Sequence, residues 1–193
     1  MTKNRCEWAQ KNELMAKYHD EEWGKPLHNE QKLFEFLILE GMQAGLSWLT
    51  ILKKRENFRS AYDNFDVSKV AGYGQQKVEE LMSDSGIIRN RQKIEASINN
   101  AKCFLEVAEE FGSFNQYIWR FVDHQPIVNR WEKLSELPAK TELSDIISAD
   151  LKQRGFKFVG STIIYAHLQA TGMVNDHLVN CFCHPECKVK EAI

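Results

Sequence analysis

The feature that most constrains the fold is an apolar repeat of helical period between residues 90 and 111. Its apolar side chains follow one another at steps of three or four residues, which places them on one face of an α-helix. They are Ile94, Ile98, Ala101, Leu105 and Ala108. Gly112 comes directly after this segment, where helices commonly end, and Ser113 is a suitable N-cap for a following helix. The repeat therefore predicts one long helix with a second helix close behind it.

The same period recurs along most of the chain, and no segment alternates apolar and polar residues as a half-buried strand does. Further helices are predicted at 31–40, 47–57, 75–83, 114–122, 143–154 and 161–171. Ser47 is a suitable N-cap, and Gly155 and Gly172 stand where C-terminal glycines occur. The least regular segment is 123–141, which is predicted to connect two lobes. We therefore expect an all-α fold.

The composition is that of an ordinary globular protein, with 43% hydrophobic and 27% charged residues over 193 positions. This length suits one domain or two closely packed lobes. No apolar stretch approaches the roughly 20 residues that span a membrane, and the N-terminus lacks the apolar segment of a secretory signal. We therefore expect a cytoplasmic protein without a membrane partner. We also expect a monomer, because no heptad or apolar stripe indicates self-association.

The net charge of −2 indicates no particular partner, since a DNA-binding surface is expected to be basic. A neutral total is nevertheless compatible with a local basic face. Basic residues cluster at 53–55, then at Arg89, Arg91 and Lys93, and finally at Lys152, Arg154 and Lys157. Each cluster alone is more typical of a solvated helix surface than of a phosphate site.

The five cysteines favour metal binding or burial, because disulfides are rare in a cytosolic protein. Cys103 falls inside the long predicted helix and is expected to be a small buried side chain. His177 and Cys181 are four residues apart, so on a helix they would share one face and supply half of a tetrahedral zinc site. Cys6 and His19 could supply the other half. Such a closed shell leaves no open position, which indicates a structural zinc.

Cys183 and Cys187 remain alternatives to Cys181 at this point. The other four histidines lack such a pairing and are expected at the surface or in ordinary hydrogen bonds. They are His28, His124, His167 and His184.

The segment at 40–48 reads E-G-M-Q-A-G-L-S-W and places a carboxylate at the end of an apolar helical run. The run occupies 33–39, and Gly41 is expected to end the helix directly after Glu40. A carboxylate in the last helical turn is unfavourable by up to about 1 kcal/mol, because the helix dipole favours cations there. Either Glu40 is an ordinary exposed glutamate, or it has a partner outside the chain.

A tight turn at 83–91, which reads S-D-S-G-I-I-R-N-R, joins two predicted helices and contains Gly86. A helix–hairpin–helix uses such a turn to direct backbone N–H groups at a DNA phosphate. An ordinary corner between two helices has the same pattern, and the motif alone favours the ordinary corner.

Five segments together carry a resemblance to a known family. They are C-E-W at 6–8, Y-H-D-E-E-W-G at 18–24, E-G-M-Q-A-G-L-S-W-L-T-I-L-K-K-R-E-N-F at 40–58, G-F-K-F-V-G at 155–160 and N-D-H-L-V-N-C at 175–181. In this order they closely resemble the 3-methyladenine DNA glycosylase I family, over nearly the whole chain from about Cys6 to about Cys181.

The resemblance implies an all-α helix–hairpin–helix glycosylase with a zinc-binding lobe that joins the two termini. Within a single unit of residues 1–193, a helical lobe is expected at about 25–125, with its hairpin near 83–91. The zinc lobe is expected at 1–24 plus 140–185. The family's zinc ligands correspond to Cys6, His19, His177 and Cys181, the four that the spacing also suggests.

The same resemblance assigns base recognition and catalysis to Glu40 and Tyr18. The aromatic walls of its pocket correspond to Trp48, Trp23 and Trp8. The loop that approaches DNA corresponds to Gln43, Ala44, Gly45 and Leu46, with Leu46 as a wedge into the space of the extruded base. Three positions before Tyr18, where the family has an aromatic residue, this chain has Met15, which can pack against a base through its polarizable sulfur.

The larger helix–hairpin–helix group commonly has a catalytic aspartate after the hairpin. This family is similar in fold but lacks that aspartate, so we assign none.

The resemblance implies a function in base-excision repair, with hydrolysis of the N-glycosidic bond of 3-methyladenine in alkylated double-stranded DNA. The product would be free 3-methyladenine, and the cofactor one structural zinc ion. The alternative is a non-enzymatic, zinc-stapled module that binds DNA or protein, which would not need Glu40, Tyr18 and Trp48 as a set. A zinc hydrolase is disfavoured, because four protein ligands leave no open position and no H-E-x-x-H occurs.

Overall fold

The computed structural model describes residues 4–190, with side chains described up to residue 187. Within residues 4–190 the chain forms ten α-helices and two very short strands. The helices are α1 (Glu13–Glu21), α2 (Glu30–Gln43), α3 (Trp48–Ala61), α4 (Val67–Ala71), α5 (Gln75–Ser83), α6 (Arg91–Phe111), α7 (Phe114–Trp119), α8 (Glu142–Gln153), α9 (Ser161–Ala170) and α10 (Pro185–Lys190). The strands are β1 (Ile127–Val128) and β2 (Val174–Asn175), and 3₁₀ turns occur at Glu7–Ala9, Asp63–Phe65, Arg120–Val122 and Leu134–Glu136. The predicted helical class is thereby confirmed.

The small parallel ladder between β1 and β2 is a departure from the expectation of helices alone. Ile127 pairs with Val174, and Val128 pairs with Asn175. β1 lies inside the segment 123–141, which the sequence predicts to be an irregular connection. Two residues are too few to give an alternating pattern, so the sequence contains no sign of this ladder.

The sequence patterns also do not predict α1 and α4. α1 begins after Asn12, whose side chain accepts hydrogen bonds from the backbone N–H groups of Leu14 and Met15. Its buried residues are Tyr18 and His19, which are not part of an aliphatic repeat. α4 has only five residues, too few to show a helical period.

The predicted caps agree with the structure. Ser47 and Ser113 cap α3 and α7 by accepting hydrogen bonds from backbone N–H groups with their side chains. Gly112, Gly155 and Gly172 adopt the left-handed conformation, with φ angles of 83°, 88° and 66°, which favours glycine at the end of a helix.

α2 continues through Gly41 to Gln43, so the prediction that the glycine ends this helix is wrong. The helix is supported beyond the glycine by the ammonium group of Lys93 on α6. This group donates hydrogen bonds to the carbonyl oxygens of Met42 and Ala44 at 2.8 and 2.7 Å. Carbonyl groups at a helix end otherwise lack intrahelical partners, and a cation there is favourable.

α2 is the central helix of the core. Every residue from 33 to 42 is buried, which is the pattern of a helix surrounded by others. It contacts α3, α6, α7 and α9, while the long helix α6 packs against α2, α4, α5 and α7. Although α2 is apolar, no helix in the described range is long and apolar enough to cross a membrane.

The segment after α1 crosses the segment after α9 in close backbone contact, and glycine makes this possible. A Cβ atom on Gly172 would lie 2.1 Å from the carbonyl carbon of Lys25. The N–H group of Gly24 donates a hydrogen bond to the carbonyl oxygen of Gln169 at 2.8 Å. The crossing therefore fixes the N-terminal part of the chain against its C-terminal part.

Some basic residues that the sequence places in surface clusters are engaged inside the protein. Arg55 is buried and forms ion pairs with Glu35 at 2.5 Å and with Glu22 at 2.7 Å. Further ion pairs are Arg91–Glu79, Arg154–Glu110 and Arg154–Asp150. The expectation of a solvated surface is therefore wrong for Arg55 and for the buried Lys93.

His167 on α9 is only 1% exposed, and neither ring nitrogen has a hydrogen-bond partner among the described residues. The expectation of a surface or hydrogen-bonded role is therefore wrong for this histidine. His184, in contrast, is buried with its Nε2 atom 3.1 Å from the carbonyl oxygen of Asn129. Burial lowers the pKa of His167 to about 4, because a protonated ring would be desolvated there.

We expect His167→Leu to raise the free energy of unfolding at pH 7 by about 1–3 kcal/mol, since unpaired polar atoms are removed from the interior. The pKa of His167 is lowered on folding, so only the unfolded chain gains a proton as the pH falls from about 6.5 to about 4. The wild type should therefore lose stability in this range, and the difference between the two proteins should widen.

Denaturant unfolding at pH 7 and pH 5 measures this effect, with the exposed Gln153→Leu on α8 as the matched control. Equal or lower stability of His167→Leu at both pH values would contradict the assignment of His167 as an unpaired buried side chain.

Candidate functional site

A cavity of about 290 Å³ opens between α1, the end of α2, the start of α3 and α9. Its lining is mostly aromatic and apolar, with a few polar side chains. The lining residues are Trp8, Met15, Tyr18, Trp23, Glu40, Gln43, Trp48, Leu137, Ala166 and Gln169. The structure thus brings together all six side chains that the resemblance assigns to base recognition, from three helices, the N-terminal segment and the turn after α1.

The aromatic rings of this pocket contact one another at steep angles. Trp8 and Trp23 have ring centroids 5.0 Å apart at 80°, and Tyr18 and Trp48 have centroids 5.3 Å apart at 53°. In such a contact the edge of one ring covers only one face of the other, so further ring faces stay available for a ligand ring. The pocket is therefore shaped for a flat aromatic ligand.

Glu40 is only 4% exposed, and its carboxyl group has no hydrogen bond or ion pair with any residue in the described part of the chain. The interpretation of Glu40 as an ordinary surface glutamate is therefore wrong. Burial raises the pKa of Glu40 to about 8, because the ionised form would lose its hydration without gaining a partner.

Tyr18 lies in the same desolvated environment as Glu40. Burial, followed by the nearby charge of Glu40, raises the pKa of Tyr18 well above its ordinary value. The phenol therefore stays protonated and can donate a hydrogen bond. The two side chains therefore form a site that is mostly neutral at pH 7.

A second cavity of about 220 Å³ adjoins the first and shares Glu40, Gln43 and Ala166 with it. Its other walls are the loop after α2 and the first turn of α9. In this loop Gly45 has a φ angle of 81°, and Leu46 is 41% exposed. The predicted wedge therefore projects from the protein surface next to the pocket.

The first turn of α9 follows Gly160, which provides no side-chain cap. No residue in the described part of the chain accepts a hydrogen bond from the backbone N–H groups of this turn, so they can bind an acceptor outside the helix.

The turn at 83–91 differs from the start of α9 in this respect. The N–H group of Gly86 donates to the side chain of Asp84 at 2.7 Å, and Asn90 caps the start of α6 by accepting from the N–H group of Lys93. Donors at this turn are thus already engaged within the protein. A phosphate contact at Gly86 stays a prediction.

Four buried side chains converge below the pocket into a candidate metal site. They are Cys6, His19, His177 and Cys181, whose ligand atoms all lie within 4.8 Å of one another. His177 and Cys181 lie in an irregular segment after β2, so the assumption that a helix aligns them is wrong. Turns of the chain bring the Sγ atom of Cys181 to 3.5 Å from Nδ1 of His177 instead.

Hydrogen bonds orient both histidines for metal binding. His177 places Nε2 3.0 Å from the carbonyl oxygen of Trp23, so its proton belongs there and the lone pair of Nδ1 faces the thiols. His19 places Nδ1 2.9 Å from Asp20, and its Nε2 atom lies 3.4 Å from Cys181. Such partners of the second ring nitrogen are typical of metal-binding histidines.

The distances within the cluster fit a tetrahedral zinc ion. With Zn–S bonds of roughly 2.3 Å and Zn–N bonds of roughly 2.0–2.1 Å, tetrahedral geometry requires S···N distances of about 3.6 Å. The structure has 3.4 Å between Cys181 and His19, 3.5 Å between Cys181 and His177, and 3.8 Å between Cys6 and His177. The donor set and these three distances therefore suit zinc.

The remaining cysteines are placed less favourably. Cys183 belongs to a second, smaller group with His19 and Asp20, and Cys187 directs its thiol to the carbonyl oxygen of Val179 at 3.0 Å. Cys103 is buried, as its position in the long helix predicts.

Three pocket residues were not found by reasoning from the sequence: Leu137, Ala166 and Gln169. The last two are three positions apart and therefore share one face of α9. This spacing is the signal that could have found them once α9 had been placed beside Glu40. Leu137 lies in the irregular segment before α8, where no pattern marks it.

Comparison with known proteins agrees with this geometry. A family model described as methyladenine glycosylase matches residues 8–184. DNA-3-methyladenine glycosylase 1 of Escherichia coli (strain K12) is 51% identical over 181 residues, which make up 94% of this chain and 97% of that protein. A crystal structure of 3-methyladenine DNA glycosylase I superimposes with a TM-score of 0.90 and 48% identity, covering 94% of this chain and 100% of the other.

A further structure, of the Staphylococcus aureus 3-methyladenine DNA glycosylase I, concerns 3-methyladenine recognition. It superimposes with a TM-score of 0.89 and 37% identity, over 94% of this chain and 96% of the other. The similarity thus covers the fold, and it spans nearly the whole length of each relative. The chain therefore belongs to the methyladenine glycosylase family.

Proposed function

We propose that this chain is a monofunctional DNA glycosylase that removes 3-methyladenine from alkylated double-stranded DNA by hydrolysing its N-glycosidic bond. The observation that carries the proposal is Glu40, a buried carboxyl group without a partner in an aromatic pocket. The family relatives that bear the name DNA-3-methyladenine glycosylase support the same conclusion. A non-enzymatic binding module would have no need to keep an unpaired carboxyl group inside its core.

The pocket suits a methylated adenine because that base is both flat and positively charged while it is bonded to the sugar. Extrusion of the base from the duplex costs a few kcal/mol. Stacking of the base on aromatic side chains contributes about 1–3 kcal/mol and offsets this cost. Trp48 and Trp23 supply ring faces, and a cation over an aromatic face gains electrostatic attraction as well. Met15 packs against the base at the position where the family has an aromatic ring.

Glu40 discriminates between the damaged base and normal adenine. The cationic base offsets the cost of ionising Glu40, and the carboxylate accepts a hydrogen bond from the exocyclic amine. Neutral adenine brings no charge, so the same carboxyl group would stay protonated or remain unpaired. Tyr18 donates its hydroxyl hydrogen bond to an acceptor on the base edge.

Bond cleavage needs little assistance from the protein, because the cationic ring takes up the electrons of the breaking bond. The base leaves as neutral 3-methyladenine, water adds to C1′ of the sugar, and one proton is released to solvent. The sugar passes through an oxocarbenium-like state that nearby DNA phosphates stabilise. We assign no general base among the residues of the chain.

The DNA strand is proposed to cross the second cavity. Leu46 fills the space of the extruded base, and Gln43 and Gly45 contact the strand beside it. The uncapped first turn of α9 is suited to a phosphate, because it combines free N–H groups with the positive end of the helix dipole. Gly86 is retained as a further phosphate contact of a helix–hairpin–helix element.

One structural zinc ion is proposed at Cys6, His19, His177 and Cys181. The ion would link the N-terminal and C-terminal segments and so stabilise the fold. It would supply no reaction chemistry, because all four coordination positions are taken by protein atoms. The link supports a division into a helical lobe at about 25–125 and a zinc lobe formed by 1–24 and 140–185.

Glu40→Gln should lower the rate of 3-methyladenine release by about 10- to 100-fold, because a hydrogen bond to a charged group contributes about 1.5–3 kcal/mol. The assay separates free bases from alkylated duplex DNA by chromatography, and 7-methylguanine should stay in the DNA. The exposed Glu106→Gln on α6 is the matched control. Unchanged release by Glu40→Gln would remove Glu40 from the mechanism, and no release by zinc-loaded wild type would favour the binding module.

Binding of a permanently cationic base should strengthen with pH. Since the pKa of Glu40 is about 8 in the empty pocket, a cation that needs the ionised form must displace a proton at lower pH. The affinity for the 3,9-dimethyladenine cation should rise by about tenfold from pH 6 to pH 7 and level off above about pH 8. Quenching of tryptophan fluorescence measures it. A flat profile in the wild type, equal to that of Glu40→Gln, would contradict this account.

Removal of zinc should destabilise the fold as a whole. Cys181→Ser is expected to bind no zinc and to unfold at a lower temperature, whereas Cys183→Ser should retain one zinc per chain, because Cys183 lies outside the proposed ligand set. Metal analysis and thermal unfolding test both variants. The assignment would be wrong if Cys183→Ser lost the metal, or if chelated protein kept its stability and lost only activity.

A further inference from the structure

Asp176 is the shared acceptor of a hydrogen-bond network between the candidate metal site and the pocket. It is only 1% exposed and lies next to His177 in the sequence. Its two carboxylate oxygens accept four hydrogen bonds, from Asn129 and Trp131 at 2.7 Å each, from Tyr165 at 2.5 Å and from Gln169 at 2.7 Å. All four neighbours act as donors, so both oxygens of Asp176 serve as acceptors in this arrangement.

The hydrogen bond from Nε2 of Gln169 to Oδ2 of Asp176 fixes the orientation of the Gln169 amide. Its NH₂ group must face Asp176, and the carbonyl oxygen Oε1 takes the other position of the amide plane. No residue in the described ranges donates a hydrogen bond to Oε1, although Gln169 lines the pocket. The backbone is held as well, since the carbonyl oxygen of Gln169 accepts from the N–H group of Gly24 at 2.8 Å.

We propose that Gln169 is a specificity-determining residue, whose Oε1 atom accepts a hydrogen bond from the 6-amino group of the flipped base. The inference rests on the proposed function, because it concerns a base held in the same pocket. An amino group has two hydrogens, so one can be donated to Glu40 and the other to Gln169. Each acceptor thereby obtains a partner that the empty pocket does not provide.

The same arrangement disfavours purines that carry oxygen at position 6. Such a base places its own oxygen, an acceptor, against Oε1 of Gln169. Rotation of the amide would not help, because the carbonyl oxygen of Gln169 would then face the carboxylate oxygen of Asp176 without a hydrogen between them. Both oxygens would lose hydration without gaining a hydrogen bond, and sites of this kind reject the wrong group strongly. In this proposal Gln169 favours 3-methyladenine over 3-methylguanine.

The test compares release of the two bases from the same methylated duplex DNA by wild type and Gln169→Met. Methionine has a similar length but no carbonyl group. We expect the ratio of 3-methyladenine to 3-methylguanine release rates to fall by about tenfold. Loss of packing or of stability alone would lower both rates together and leave this ratio unchanged.

Gln169→Ala provides a second variant if methionine disturbs folding, and Gln116→Met, on the exposed face of α7, is the matched control. Thermal unfolding verifies that each variant is folded. An unchanged ratio in a folded Gln169 variant would overturn the assignment. Absence of 3-methyladenine release by wild type would instead refute the proposed function, so the two failures are distinguishable.

Discussion

The close crossing of the segment after α1 with the segment after α9 is the constraint on which the functional region depends. It brings Tyr18 and Trp23 to one side of the pocket and Gln169 to the other. A few ångströms away it brings His19 to His177. Because Gly172 admits the Lys25 backbone where a Cβ atom would overlap it, one backbone contact positions both the aromatic pocket and the candidate metal site.

The pocket retains an unfavourable arrangement that the rest of the protein tolerates. Glu40 is desolvated in the central helix, and its pKa of about 8 reflects the cost of ionising it there. Arg55 could have neutralised a carboxylate of α2, but it pairs with Glu35 on another side of that helix. Functional sites commonly break local rules in this way, because the missing partner is the ligand.

Apolar periodicity was sufficient to predict the long helices, serine and glycine positions predicted their caps, and the helical class followed from them. It was insufficient for α1, whose buried face is formed by Tyr18 and His19, and for the end of α2, because Lys93 supports that end from far along the chain. The pocket residues came from the family resemblance. Gln169 was missed, since its role depends on an amide orientation that only the contact with Asp176 reveals.

The ammonium group of Lys93 has a consequence for the proposed contact of Leu46 with DNA. By bonding to Met42 and Ala44, it holds the start of the loop that carries Leu46 before any duplex is present. The loop therefore loses little conformational freedom on association, and more of the contact energy is left for distorting the duplex. In the proposed contact, a wedge held in this way would enter most readily where a base pair is already weakened.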